Sequence, residues 1–214
     1  MFIEFIDLLR CPRAHADSWL VAAFEKMDGR FVMAGKLGCP VCSSNYTISA
    51  GVADLRSDAG SQAPAFDLHR FAADSSDHRI EEDSVRAAAL MGLTNPNALV
   101  VLAGESANLG RRVSELAEAR VIALNPAHAV QETERLAVVL MDSRFPLTPF
   151  SVDGMVLDGS AGTALFADAG RVLRQGGRLV APADTALGTG FRVLARDDLQ
   201  VVAESVGQLV SISR

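Results

Sequence analysis

The sequence predicts an α/β chain: a doubly wound, mostly parallel sheet with a C-terminal antiparallel hairpin, preceded by a small β-rich module. Three observations predict it. From Arg79 onward, apolar runs of strand length alternate with amphipathic helical stretches. Those runs are nearly continuous in apolar residues, as strands buried on both faces require. Ahead of that alternation, all three cysteines of the 214-residue chain fall within its first 42 residues, among short apolar segments and turn signals.

The elements follow in order. Residues 1–56 make the module. Within it, 19–24 and 31–33 flank Asp28-Gly29, a pair that tolerates positive φ and marks a hairpin, and a second turn follows at 38–42. Residues 57–78 are rich in Ser, Asp, Ala, Gly and Pro and read as a linker, with a short helical stretch at 66–71. The large domain, 79–214, opens with a helix over 79–93 and a buried strand over 98–103. Residues 109–119 place Leu109, Val113, Leu116 and Ala117 on one helical face. Further strands are predicted at 121–124, 136–141, 155–157 and 178–181, with a helix at 161–173 that Gly176-Gly177 would end. Residues 199–203 and 209–212, about Gly207-Gln208, suggest the closing hairpin. Strand and helix in alternation imply a parallel sheet with helices on both faces.

Composition narrows the function. Apolar residues are 49% and charged residues 21%, enough for a sizeable core. A net charge of −6 gives no general attraction to phosphate backbones, so nucleic acid is not indicated as a partner. No stretch approaches the roughly 20 apolar residues of a membrane span. The first ten residues carry Glu4 and Asp7 and do not read as a secretory leader. An odd cysteine count with one Cys-x-x-Cys pair suits metal binding in a reducing compartment, so the cytoplasm is the expected location.

Cys39-Pro-Val-Cys42 sits in a tight turn, where two thiolates converge on one tetrahedral ion. LLRCP at 8–12 and GCPVCSSNYTISAGVADLR at 38–56 resemble the zinc-ribbon modules typified by the small activator subunit of tRNA and rRNA methyltransferases. The resemblance implies a cysteine three positions after Cys11, where this chain has Ala14. His15 stands one step further on, so the candidate zinc ligands are Cys11, His15, Cys39 and Cys42. The other reading is a module that has lost its metal, with Cys11 and Cys42 as small core residues. In either case the module is structural, or docks a protein partner or a second copy of the chain.

In the large domain, ALVVLAGESANLGRRVSELAEARVIALNPA at 98–127, AVVLMDSRFPLTPFSVDGMVLDG at 137–159 and DAGRVLRQGGRLVAPAD at 168–184 resemble the class I methyltransferases, a Rossmann-like fold that binds S-adenosylmethionine. The resemblance spans about 80–184, and its terminal hairpin matches the family's last two strands, although the helix normally before it is nearly absent from 184–191. The implied cofactor contacts are Gly104, Glu105, Ser106 and Asn108 in the loop after the first strand, Asn125 after the second and Asp142 after the third. Ser106 adds a β-carbon at the loop's second glycine position, and Asn125 replaces the carboxylate that accepts both ribose hydroxyls, a loss of about 1–3 kcal/mol. Asp142 keeps the position that recognises the adenine amino group.

The large domain holds no cysteine, which excludes a cysteine-nucleophile route, and Asp158-Gly159-Ser160-Ala161 replaces the Asn/Asp-Pro-Pro-aromatic segment of amino-group methylation. Asp158 reads as a base facing the cleft or as a helix cap. Two functions stand open: a methyltransferase of unknown acceptor with a degenerate cofactor loop, or a non-catalytic pseudo-methyltransferase that works by binding. A third, an altered loop for another nucleotide or metabolite, carries less support.

Overall fold

The computed structural model describes residues 1–57 and 77–207. The N-terminal region supplies β1 (Val21–Asp28), β2 (Phe31–Gly38), β3 (Asn45–Ser49) and β4 (Val52–Asp54). The remainder supplies α1 (Asp77–Met91), β5 (Leu99–Ala103), α2 (Gly110–Leu116), β6 (Arg120–Leu124), β7 (Leu136–Leu140), β8 (Val152–Leu157), α3 (Gly162–Val172), β9 (Leu173–Pro182), β10 (Phe191–Arg196) and β11 (Gln200–Ser205). The short helical stretch expected at 66–71 lies outside the described residues.

All the strands join one 11-stranded sheet in the order β1-β2-β3-β4-β7-β6-β5-β8-β9-β11-β10. The five central strands from β7 to β9 run parallel, and β11 lies antiparallel to both β9 and β10. This is the mixed α/β sheet that the alternating apolar runs predict. The period of two in each strand divides the core. Leu99, Val101, Ile122 and Leu124 face one side, packed with Leu165 and Ala169 of α3 and with Phe5, Leu9 and Tyr46 from the N-terminal region. Val100, Leu102, Val121 and Ala123 face the other, beneath Ala87 and Met91 of α1 and Val113 of α2.

Three local expectations shift. The first hairpin pairs Asp28 with Phe31, so its turn is Gly29-Arg30, one residue later than Asp28-Gly29. The closing hairpin is formed by β10 and β11, because 191–196 supplies the partner strand. Residues 209–212 lie outside the described residues. Gly176-Gly177 do not end a helix. α3 stops at Val172, β9 begins at once, and the ladder jumps from Val152↔Leu173 to Gly154↔Arg178. The glycine pair sits in that irregularity. Gly176 takes φ +78°, and a Cβ on Gly177 would come within 3.0 Å of Asp153 O, so the strand folds back on β8 where only glycine fits.

The N-terminal region joins the parallel sheet through backbone. β4 runs parallel to β7, with Ala53 opposite Val139, and the Leu55 N–H extends the contact to Leu140 O at 2.8 Å. The Arg10 N–H donates to Pro146 O at 2.9 Å beside a bridge between Leu9 and Leu147. The Met1 ammonium lies 2.7 Å from a Glu132 carboxylate oxygen, and the other oxygen of Glu132 accepts the Val138 N–H. On the α3 side, Arg171 donates to Phe145 O and Leu147 O and pairs with Asp168, which itself accepts the Phe145 N–H. That network pins the segment after β7 against α3.

Candidate functional site

Four polar side chains of the N-terminal region converge. Cys11 follows the Leu9 bridge, and its N–H is held by Ser18 O at 3.0 Å. His15 stands on the bend that follows. Cys39 and Cys42 come from the turn after β2, closed by Ser43 N–H to Cys39 O and Cys39 N–H to Ser44 O, with Ser43 at φ +57°. One ligand atom from each residue lies within 4.8 Å of all the others. Around a zinc ion, bonds of about 2.3 Å to sulfur and 2.0–2.1 Å to nitrogen set tetrahedral edges of roughly 3.8 Å between sulfurs and 3.5 Å between nitrogen and sulfur. The Cys11 and Cys42 sulfurs lie 3.7 Å apart, and Cys39 Sγ lies 3.4 Å from His15 Nε2. Those lengths fit a four-ligand metal cage.

The surroundings of His15, Cys39 and Cys42 favour ligation. His15 Nδ1 lies 2.6 Å from Ala16 O, which can only accept, so Nδ1 carries the proton and Nε2 keeps its lone pair for the cluster. The Ser44 hydroxyl and N–H bring the Cys42 thiol down to about 6. Burial pushes Cys39 up, but hydrogen bonds from the Cys42 and Val41 amides outweigh it and the net shift is downward. Burial raises the Cys11 thiol, beside the buried Tyr46 hydroxyl at 3.5 Å. Thiolates are the form that binds metal.

The second candidate site lies where the strand order reverses. From β5 the chain moves outward through β6 and β7, then returns to build β8 and β9 on the other side, so the ligand crevice of such a sheet opens at the carboxyl ends of β5 and β8. Gly104 leaves β5 at φ +64°, and a Cβ there would run into the carboxylate of Asp158, after β8. The Glu105 N–H donates to that carboxylate, and Asp158 also accepts the Ser160 N–H at 2.9 Å, capping the turn at Gly159–Ala161. The close approach that a glycine permits is thus taken by the protein's own carboxylate.

The other predicted contacts are similarly engaged. Ser106 Oγ donates to Ala103 O at 2.8 Å, and Val156 O lies 3.2 Å away, so the hydroxyl bridges the ends of β5 and β8. Asn125, at φ +43°, spends both ends of its amide on Met141: Oδ1 accepts the Met141 N–H and Nδ2 donates to Met141 O, each at 2.9 Å. Asp142 accepts the Ser57 N–H at 2.7 Å and the Ser57 hydroxyl at 2.6 Å. Glu105, Ser106 and Asn108 do line a cleft of about 830 Å³ beneath α1, together with Arg79, His128 and Asp158. Gly104, Asn125 and Asp142 are not among its lining residues. Ser57 and Tyr46 went unpredicted, because contacts made across 85 residues (Ser57 to Asp142) and 35 residues (Tyr46 to Cys11) leave no spacing signal.

No family model matches the chain, and no curated protein matches it. Among solved structures, methyltransferases resemble it in part. A Methanococcus maripaludis protein provisionally assigned as an S-adenosyl-L-methionine-dependent methyltransferase is 12% identical, over 63% of this chain and 89% of its own, with a TM-score of 0.48. Geranyl diphosphate C-methyltransferase from Streptomyces coelicolor A3(2) is 19% identical over 49% of this chain and 46% of its own, at TM-score 0.41. Haemonchus contortus phosphoethanolamine N-methyltransferase 2 is 13% identical over 47% of this chain and 27% of its own, at TM-score 0.40. The chain spans about a quarter to a half of the length of the last two. These are likenesses of fold alone. Among the described residues, no helix is long and apolar enough to cross a membrane.

Proposed function

We propose that this chain is a non-catalytic methyltransferase-like protein that works by binding, built on a structural zinc centre. One observation carries the reading: the Asp158 carboxylate lies against Gly104 and accepts the Glu105 N–H, where a cofactor would need the loop's open backbone. Asn125 and Asp142 support it, since both ends of the Asn125 amide are taken up by Met141 and one oxygen of the Asp142 carboxylate is taken up by Ser57. A ligand seated there would have to replace these contacts with its own, so part of its binding energy would go into breaking them.

Zinc is the metal that suits three cysteines and one histidine in a closed tetrahedral set. Bound there, it would tie the Cys11 segment to the β2 turn, and no ligand position would remain for chemistry. Docking is assigned to the outer strand, β1, where Val21, Phe24 and Met27 are exposed at one end of the sheet, with Trp19 exposed just ahead of it. The partner is another protein, a second copy of the chain being the simplest case.

The enzyme reading keeps one specific support, the cleft beneath α1 that Glu105, Ser106 and Asn108 still line. Calorimetric titration with S-adenosylmethionine and its demethylated product decides between the two. The binding-protein reading expects no heat at millimolar ligand. A Kd tighter than about 100 µM, about −5.5 kcal/mol, would overturn it.

A further inference from the structure

The metal cage is uneven in its exposure. Cys11 and Cys39 are buried, while Cys42 is exposed at the rim. The sulfurs of Cys42 and Cys11 are 3.7 Å apart, whereas Cys39 Sγ has His15 Nε2 as its near neighbour at 3.4 Å. Cys11 is anchored to the large sheet: the residue before it donates to Pro146 O, and its own N–H is held by Ser18 O. Cys42 instead rides on the turn after β2, followed by Ser43 at φ +57°.

We infer that Cys42 and Cys11 form an oxidation latch on this centre: hydrogen peroxide joins their sulfurs in a disulfide and discharges the metal. The inference rests on the metal-centre reading above. The Cys42 thiolate attacks one peroxide oxygen; a sulfur–oxygen bond forms, the oxygen–oxygen bond breaks and hydroxide leaves. The Cys11 thiolate then attacks the sulfenic sulfur of Cys42; the sulfur–sulfur bond forms and a second hydroxide leaves, taking up a proton as water. The two sulfurs together give up two electrons, and one peroxide is reduced. Closing from 3.7 Å to a disulfide of about 2.05 Å needs the exposed turn to move toward the anchored cysteine by less than the width of one atom. The metal is left with His15 and Cys39, two ligands where a structural site needs four.

The consequence is regulatory. Reduced and loaded, the module is tied together by the ion. Oxidised, it is tied by one covalent bond running from the β2 turn to the segment that bridges β1 and the large sheet. Cys42 is the sulfur that peroxide reaches first because it is the exposed one, and Cys11 resolves it because its sulfur lies 3.7 Å away, in contact with that of Cys42.

The test uses the full chain as purified under reducing conditions. Metal content per chain is measured first, then the protein is titrated with hydrogen peroxide. Released metal is followed with a colorimetric chelator and cysteine pairing by peptide mapping. The expected result is release of one metal per chain in step with a Cys11–Cys42 cross-linked peptide, both reversed by reductant and added zinc. In Cys39→Ser the same cross-link still forms. In Cys11→Ser it is lost, and Cys42 accumulates as a sulfenic acid trapped by dimedone. A dominant Cys39–Cys42 pair, or metal retained through stoichiometric peroxide, would overturn the latch. Protein that holds no metal but still forms the Cys11–Cys42 bond overturns the metal centre and leaves the sulfur pairing standing, so the two failures are told apart.

Discussion

The two candidate sites differ in where their side chains spend their hydrogen bonds. In the Cys11, His15, Cys39, Cys42 cluster the four ligand atoms all lie within 4.8 Å of one another, with Cys11 to Cys42 at 3.7 Å and Cys39 to His15 at 3.4 Å, lengths that suit a shared ion. In the crevice at the ends of β5 and β8, Asp158, Ser106, Asn125 and one oxygen of Asp142 are hydrogen-bonded to protein backbone or to Ser57. A binding site keeps groups whose partners are supplied from outside; a repurposed one closes the circuit internally. On the proposed reading, the first site receives an ion and the second no longer takes a cofactor.

The largest effect that could break this contrast comes from the metal side. Cys39→Ser removes a buried ligand from a four-ligand set, and small structural zinc sites supply about 10–16 kcal/mol of apparent binding energy in peptides. Because the module shares its core with the large sheet, only part of that energy appears as unfolding. The variant is expected to purify without metal and to lose several kcal/mol of stability in urea, with strands β1 to β3 losing amide-exchange protection first. Equal stability in variant and parent would mean that the cluster is an ordinary group of core thiols.

How much of this was legible in the residues follows from the range of the contacts involved. The parallel strands were readable because a strand buried on both faces writes itself as an uninterrupted apolar run, and 98–103, 121–124 and 136–141 do so. The cysteine cluster was readable from the Cys-x-x-Cys turn, and His15 from the missing partner at Ala14. Gly176-Gly177 misled, because a glycine pair after a helix marks its end and a strand irregularity in the same letters. The closing hairpin shifted because 191–196 is an exposed strand whose short apolar stretch, 193–195, is bounded by two arginines and so does not read as a buried run. The engagement of Asn125 with Met141 and of Asp142 with Ser57 was not legible. It depends on strand ends meeting in space, and on how β4 runs beside β7 to bring residue 57 over the crevice.

A smaller effect sharpens the crevice side. Asn125→Asp would restore the carboxylate expected of a ribose-binding position. Here Nδ2 donates to Met141 O, so the exchange sets a carboxylate oxygen against a carbonyl oxygen 2.9 Å away. The binding-protein reading therefore expects a loss of about 1–3 kcal/mol in urea denaturation and no gain in S-adenosylmethionine binding. An Asn125→Asp variant of unchanged stability that now binds the cofactor would reopen the site as a weakened enzyme.

The smallest expected change carries the docking argument. Trp19 is 64% exposed, with the Arg10 guanidinium 4.1 Å from its ring centroid. Arg10 is itself fixed by Asp7 O and Leu9 O, so the ring lies over an already ordered cation, and the contact is worth about 0.5–1 kcal/mol at such a site. Trp19→Ala should lower folding stability by no more than that. If β1 is the docking strand, the same substitution should weaken self-association far more than folding, because an exposed aromatic contributes most where a partner covers it. Sedimentation of parent and variant over a range of concentrations separates the two terms. A shift in the association constant of tenfold or more with nearly unchanged stability assigns the edge to binding. Identical sedimentation at every concentration removes self-association and leaves β1 to a different protein, for which Val21 and Phe24 become the next positions to change.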